Sequence, residues 1–145
     1  MTYVISRFQR WHLAWLEGNG EPSEGYVPQF PPHILRTMES GLSWTGSYVG
    51  QPIVCGGLIE MWPGRYHCWA FLNDNSAKHM LWITRAVLDK LGGIEGRIEM
   101  TVRRDFKAGH RWAKLLGFSV ENAPGILEKF GPMGEDHIAY VRFNR

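Results

Sequence analysis

The middle of the chain constrains the fold most, because it reads as a strand, a helix and a second strand in succession. Tyr66–Leu72 is almost wholly apolar, which predicts a strand covered on both faces. Ser76–Leu91 has apolar side chains at helical spacing and is followed by two glycines, which predicts one amphipathic helix. Arg97–Arg103 alternates apolar and polar residues, as a half-buried strand does. Two strands joined in this way run parallel, with a right-handed crossover.

Segments on both sides of this unit extend it into a larger sheet. Short turns that contain Gly and Pro separate the preceding strands, which is typical of antiparallel hairpins. The predicted elements are strand Tyr3–Phe8, helix Gln9–Glu17, a helix from Pro31 or Pro32 to Ser40, strands Ser43–Val49, Ile53–Met61 and Tyr66–Leu72, helix Ser76–Leu91, strand Arg97–Arg103, helix Lys107–Leu116, and strands Phe118–Glu121, Ile126–Phe130 and His137–Phe143. This order predicts an α/β three-layer domain with a mixed, mainly antiparallel central sheet. The 145 residues are the length of a single domain, 1–145.

Charge and composition exclude several classes of protein. The net charge is +2 and no basic cluster exceeds two adjacent residues, which argues against a dedicated nucleic-acid binder. No apolar run approaches the ~20 residues of a membrane helix, and the first residues lack a secretory pattern, so we expect a cytoplasmic protein. Cys55 and Cys68 lie inside apolar runs, which predicts buried free thiols, and the six histidines lack zinc-ligand spacing, so no metal site is expected.

The end of the central strand and the start of the following helix form the first candidate site. Ligands of open α/β sheets collect beyond the carboxyl ends of parallel strands. The first amides of a helix have no intrahelical partner, and the helix dipole favours an anion there. Lys78 would contribute to such a site if a phosphate bound there; alternatively, its ammonium points into water.

The same stretch carries a resemblance to a known family. The strand Tyr66–Leu72, the helix Ser76–Leu91 and the strand Arg97–Arg103 lead into a short helix that ends in Lys114–Phe118, with the sequence Lys-Leu-Leu-Gly-Phe. This arrangement resembles the GNAT superfamily of N-acetyltransferases. The closing segment Gly131–His137 also resembles small GNAT-like proteins of short-tailed bacteriophages. The resemblance implies acetyl-CoA as acyl donor and direct transfer of the acetyl group to a primary amine of a protein or small molecule.

The resemblance also implies where the site residues lie. The residues expected to bind the coenzyme, either through the oxyanion-binding amides at the strand end or through the pyrophosphate-binding turn, are Phe71, Leu72, Asn73, Asn75, Ser76, Ala77 and Lys78. An acceptor amine must also lose a proton, and the candidate bases on three neighbouring strands are Glu60, His67 and Glu99. Glu60 is favoured, because it interrupts an apolar segment beside Gly56-Gly57. An alternative interpretation places Glu99 in a solvated polar face and makes His67 a half-buried structural histidine.

Two departures from the family pattern keep a second class of function open. The turn Asp74–His79 lacks the glycines with which the family approaches pyrophosphate, and Ala113 stands where a thiolate-protonating tyrosine is often found. The alternative is therefore a catalytically inactive GNAT-fold phage protein, acting as a virion component or in host interaction. In either case we expect a monomer or homodimer in the cytoplasm, which means the host cytoplasm or a virion if a phage encodes the chain.

Overall fold

The computed structural model describes residues 2–24 and 29–144. Its internal contacts divide the chain into two compact units. Unit 1 comprises Met1–Glu60 and Cys68–Ile83, and unit 2 comprises Met61–His67 and Thr84–Arg145. That the whole chain acts as one domain stays a prediction.

Unit 1 is built on antiparallel strands with two helices between the first and second. The elements are β1 (Tyr3–Arg7), α1 (Arg10–Gly18), α2 (Pro32–Ser40), β2 (Leu42–Tyr48), β3 (Gln51–Trp62) and β4 (Arg65–Phe71), followed by a 3-10 helix (Asp74–His79). Strand β1 pairs antiparallel with β2, β2 pairs antiparallel with β3, and the last residues of β4 follow β3 in the sheet. One buried apolar cluster contains Phe8, Leu13, Leu16, Met38, Cys55 and Trp69.

Close backbone packing explains the paired glycines of β3. A Cβ atom at Gly57 would lie 2.5 Å from the carbonyl oxygen of Leu42 on β2, so only glycine fits there. The neighbour that approaches Gly57 so closely is the chain's own β2 strand.

Unit 2 contains the parallel pair. Arg65–His67 of β4 pair in parallel with Arg97–Glu99 of β5, and β5 pairs antiparallel with β8 along its whole length. The elements are β5 (Gly96–Arg103), α4 (Lys107–Leu115), β6 (Ser119–Val120), β7 (Ile126–Leu127) and β8 (His137–Asn144), after the helix α3 (Met80–Gly92), which begins in unit 1. The short strands β6 and β7 both pair with β8. The buried apolar residues of unit 2 are Leu91, Ile98, Val102, Ala113, Leu116, Phe118, Tyr140 and Val141.

The parallel crossover pair and the mixed, mostly antiparallel sheet are confirmed, and one predicted element is wrong. Ser76–Leu91 is not a single helix: a 3-10 helix occupies Asp74–His79, and the α-helix begins only at Met80. The physical reason is local. The side chains of Asn73 and Ser76 form a reciprocal cap, and the Ser76 hydroxyl also donates to the carbonyl of Ile53, which holds the first turn tight against β3.

Candidate functional site

Asn73 and Ser76 lie in the turn after β4, and both are buried, with 4% and 1% of their surface exposed. The Asn73 side-chain oxygen accepts a hydrogen bond from the Asn75 amide at 3.0 Å, and its Nδ2 donates to the Leu16 carbonyl at 3.0 Å. The Asn73 amide donates to Ser76 Oγ at 3.0 Å, and that hydroxyl donates to the Ile53 carbonyl at 2.6 Å. These polar groups hold the chain together and are already satisfied.

The segment Asn19–Ser23, which we call the strap, is bonded across this turn. Its amide and carbonyl groups pair with the end of β4 and the start of the 3-10 helix, and Pro22 forms an isolated antiparallel bridge with Asn73. The strap bonds are Asp74 N to Glu21 O (2.9 Å), Glu21 N to Asp74 Oδ1 (3.1 Å), Ser23 N to Leu72 O (3.1 Å) and Asn75 Nδ2 to Asn19 O (2.7 Å). Within the strap, a Cβ on Gly20 would lie 2.5 Å from Asp74 Oδ1, so strap and turn are in close contact.

Three amides of the turn are not free to bind the pyrophosphate of coenzyme A. The amides of Asp74, Asn75 and Ser76 have acceptors within the protein, on Glu21, on the Asn73 side chain and on the Asn73 carbonyl. The Asp74 carboxylate adds a negative charge where phosphate would need positive potential. Ala77 and Lys78 are exposed, so their assignment to a ligand stays a prediction, as does that of Phe71 and Leu72 at the strand end.

A second group of predicted residues lies together in unit 2. His67 and Glu99 are direct partners in the parallel ladder, so their side chains occupy the same face of the strands. The Glu99 carboxylate accepts hydrogen bonds from Arg65 Nε and Nη2 at 3.0 and 2.8 Å, and from Arg97. Arg97 in turn binds Glu121. We call these four charged residues, Arg65, Glu99, Arg97 and Glu121, the ion-paired row.

The row keeps Glu99 ionised. The hydrogen bonds from Arg65 hold the pKa of the Glu99 carboxyl below its ordinary value, against the opposing effect of burial, and Arg97 lowers it further. A carboxylate that is stabilised in its charged form is a weak proton acceptor. The geometry therefore does not favour Glu99 as the base, and its carboxylate is ion-paired rather than part of the solvated polar face of the alternative interpretation.

His67 has the properties of a proton acceptor. Burial lowers the pKa of its imidazole, the charge of Glu99 raises it and the charge of Arg65 lowers it. The ring is therefore neutral near pH 7, with a lone pair available. Within the described part of the chain it makes no hydrogen bond that would occupy either ring nitrogen, although the side chain is half-buried.

The other predicted or implied groups are less suited to chemistry. Glu60 is exposed near the end of β3, and the structure gives it no partner within the described residues. Ala113 is fully buried, and the hydroxyl of the buried Tyr140 is bonded to His110 Nδ1 at 2.8 Å. Burial raises the pKa of the Cys55 and Cys68 thiols to about 12, which leaves them protonated and unreactive.

Two further findings apply only to residues 2–24 and 29–144. No group of three or more His, Cys, Asp or Glu side chains is arranged to hold a metal ion. No helix has the length and apolar character needed to cross a membrane.

Comparison with solved structures gives matches over nearly the whole chain. A ribosomal-protein-S18-alanine N-acetyltransferase from Escherichia coli aligns with a TM-score of 0.72 at 15% identity, covering 97% of this chain and 92% of that one. A GNAT-family acetyltransferase from Bacillus anthracis gives 0.69 at 13% identity, with 99% and 95% covered. A chimeric spermidine N-acetyltransferase from Vibrio cholerae gives 0.67 at 12% identity, with 99% and 96% covered.

These matches define the class of fold. The chain has the α/β GNAT fold, with its mixed sheet and its parallel β4–β5 pair. No protein-family model matches the sequence, and no curated protein matches it. Nothing in these comparisons points to a bacteriophage.

Sequence reasoning missed two sets of residues that shape these sites. The strap was not linked to the helix start, and Arg65, Arg97 and Glu121 were not assigned a role. The alternation of Arg97, Glu99, Thr101 and Arg103 does show that β5 carries both charge signs on one face, which is the signal for the ion-paired row. The strap has no comparable signal, because its bonds are mostly to backbone groups.

Proposed function

We propose that this protein is an acyl-CoA-dependent N-acyltransferase that transfers an acetyl group from acetyl-CoA to a primary amine, with His67 as general base. The observation that carries the proposal is His67 itself, a neutral, half-buried imidazole whose ring nitrogens form no hydrogen bond with any described residue, on a strand of the fold that named acetyltransferases share. Its predicted role as base is preferred here over those of Glu60 and Glu99.

The chemistry follows from the state of the acceptor. A primary amine is an ammonium ion at neutral pH, without the lone pair that it needs to act as a nucleophile. A neutral imidazole within hydrogen-bond reach takes one proton and becomes imidazolium, which leaves the amine reactive. His67 enters this step in the required form because burial has lowered its pKa.

The turn after β4 offers the coenzyme few free amides. Since the amides of Asp74, Asn75 and Ser76 are already bonded within the protein, no step of the proposed reaction is assigned to contacts between these amides and the coenzyme. Lys78, with its exposed ammonium, is the charged residue of this turn that remains proposed for the donor's phosphates.

The acceptor is proposed only as a class. Of the similar structures, one is a ribosomal-protein-S18-alanine N-acetyltransferase and another a spermidine N-acetyltransferase, so the named acceptors are a protein amine and a small polyamine. We therefore propose a protein or small-molecule amine, acted on in the cytoplasm by a monomer or homodimer.

A specific observation favours a second candidate, a GNAT-fold protein without catalysis that acts through binding. Occupied amides at the turn and the absence of glycine from its sequence are what loss of coenzyme binding would produce. The buried alanine at position 113 has no hydroxyl with which to protonate a leaving thiolate. The phage-protein form of this alternative, in a virion or in host interaction, is kept as a hypothesis.

The test combines titration calorimetry with acetyl-CoA and an acetylation assay on a panel of protein and small-molecule amines. We expect binding, and transfer that falls about 100-fold or more in His67→Gln, the usual contribution of a general base. The matched control is His33→Gln, which changes an exposed histidine on α2 and should leave transfer unchanged.

Each result separates the candidates. Absence of both binding and transfer at millimolar acetyl-CoA would leave the non-catalytic candidate. Transfer that survives in His67→Gln would retain the enzyme and return the role of base to Glu60.

A further inference from the structure

The ion-paired row lies on the same face of the β4–β5 ladder as His67. Arg65 pairs with Arg97 in this ladder, and His67 pairs with Glu99 two residues further on, so these four side chains share one face. The Glu99 side chain is 18% exposed, and those of Arg65 and Arg97 are 32% and 29% exposed. The carboxylate therefore lies among half-buried groups, where salt and water screen it less than at an open surface.

The two arginines hold the Glu99 carboxylate from different strands. Arg65 donates two hydrogen bonds to Oε1, and Arg97 donates to Oε2, so each carboxylate oxygen has its own guanidinium. Arg97 is held in turn by Glu121. A carboxylate fixed in this way cannot rotate freely, and its charge stays directly across the ladder from the His67 ring.

We propose that Glu99 is a positioning residue: clamped between Arg65 and Arg97, it holds a fixed negative charge opposite His67 and stabilises the imidazolium that forms when His67 takes a proton from the acceptor amine. The proton stays on His67, and Glu99 does not itself exchange one. This inference rests on the proposed function for its place in a reaction, but the electrostatic coupling exists in the protein without any substrate.

The signs of the neighbouring charges make the coupling testable. Glu99 on β5 raises the pKa of His67, and Arg65 on β4 lowers it. Within the described part of the chain these are the charged groups that act on the ring. Arg97 donates a hydrogen bond to Glu99, and Glu121 accepts one from Arg97 at the other end of the row, so both residues influence the ring only by holding Glu99.

The experiment is an NMR titration of the His67 ring in the intact protein and in three variants. Glu99→Gln removes the stabilising charge, and the His67 midpoint should fall by about one pH unit, the lower end of what a close opposite charge contributes. Arg65→Gln removes the opposing charge while Arg97 still holds Glu99, and the midpoint should rise. Glu121→Gln, the matched control in the same row, should leave the midpoint in place.

The opposite directions exclude loss of folding as the explanation, because a disordered chain would move both midpoints toward the value of a free histidine. If the wild-type protein transfers acetyl groups, the acid limb of its pH profile should move in the same direction as the midpoint in each variant. An unchanged midpoint in Glu99→Gln, or shifts of the same sign in Glu99→Gln and Arg65→Gln, would overturn the proposal. These outcomes are independent of the proposed function, whose own failure appears as absence of transfer by the wild-type protein.

Discussion

The turn after β4 and the ion-paired row both carry residues that the sequence marks for chemistry, and they satisfy their polar groups in opposite ways. Apart from the Asp74 carboxylate, which accepts a hydrogen bond from the Glu21 amide, the turn uses neutral amide and hydroxyl groups, bonded mainly to backbone atoms of the strap and of β3. The row uses charged side chains bonded to one another, and neither it nor any other described residue forms a hydrogen bond with the neighbouring imidazole of His67. A bonded backbone amide has no remaining donor for a ligand, whereas a paired charge still exerts its field on a neighbour. The turn is therefore suited to stability and the row to chemistry.

The largest effect that this comparison predicts is at Ser76. In Ser76→Ala the carbonyl of Ile53 and the amide of Asn73 lose their partner in a fully buried position, which should lower the free energy of unfolding by about 1–3 kcal/mol. Chemical denaturation measures this change. Ser6→Ala, an exposed serine on β1, is the control and should stay within about 0.5 kcal/mol of wild type. A Ser76→Ala protein as stable as the control would show that the turn is not held in this way.

The next effect concerns the strap. Gly20→Ala places a methyl group 2.5 Å from Asp74 Oδ1 and 2.8 Å from Asn73 Nδ2, so either these side chains or the strap must shift, which breaks strap–turn hydrogen bonds at a cost of about 1–3 kcal/mol. Gly18→Ala is the matched control, because a Cβ there meets nothing within 4 Å. Hydrogen exchange should become faster at the amides of Asp74 and Ser23 in Gly20→Ala alone. Equal exchange in the two variants would mean that the strap is not fastened to the turn.

The fold was largely predictable, for a physical reason. Alternation along Arg97–Arg103 and helical spacing after Ser76 reflect burial, and burial is what a linear pattern of apolar residues encodes. The boundary at Met80 was not predictable, because a 3-10 start depends on the bond from Ser76 to Ile53, 23 residues earlier in the chain.

The sequence predicts which residue types form the candidate site, but not which hydrogen bonds and ion pairs those residues form. His67 and Glu99 were both identified, yet sequence spacing cannot show that two arginines hold Glu99 and that none of the described residues bonds to His67. Those properties depend on side chains that meet across strands, such as Arg65 and Glu99, which are 34 residues apart.

The smallest predicted effect is the contribution of the row to stability as a function of pH. The pKa of Glu99 is lowered in the folded protein, first by the hydrogen bonds from Arg65, so folding favours its ionised form. The stabilisation is fully present above the ordinary glutamate value of 4.5 and is lost as the pH falls through the lowered folded value. For a partly exposed pair the contribution is at most about 1 kcal/mol. Thermal melts of wild type and Glu99→Gln should therefore differ most at neutral pH and converge toward pH 3.

Glu60→Gln, which removes an exposed carboxylate without a partner in the described residues, should show no such convergence. If the difference between wild type and Glu99→Gln stayed constant down to pH 3, the arginines would be stabilising the fold by packing, and the row would lose the fixed charge that distinguishes it from the turn.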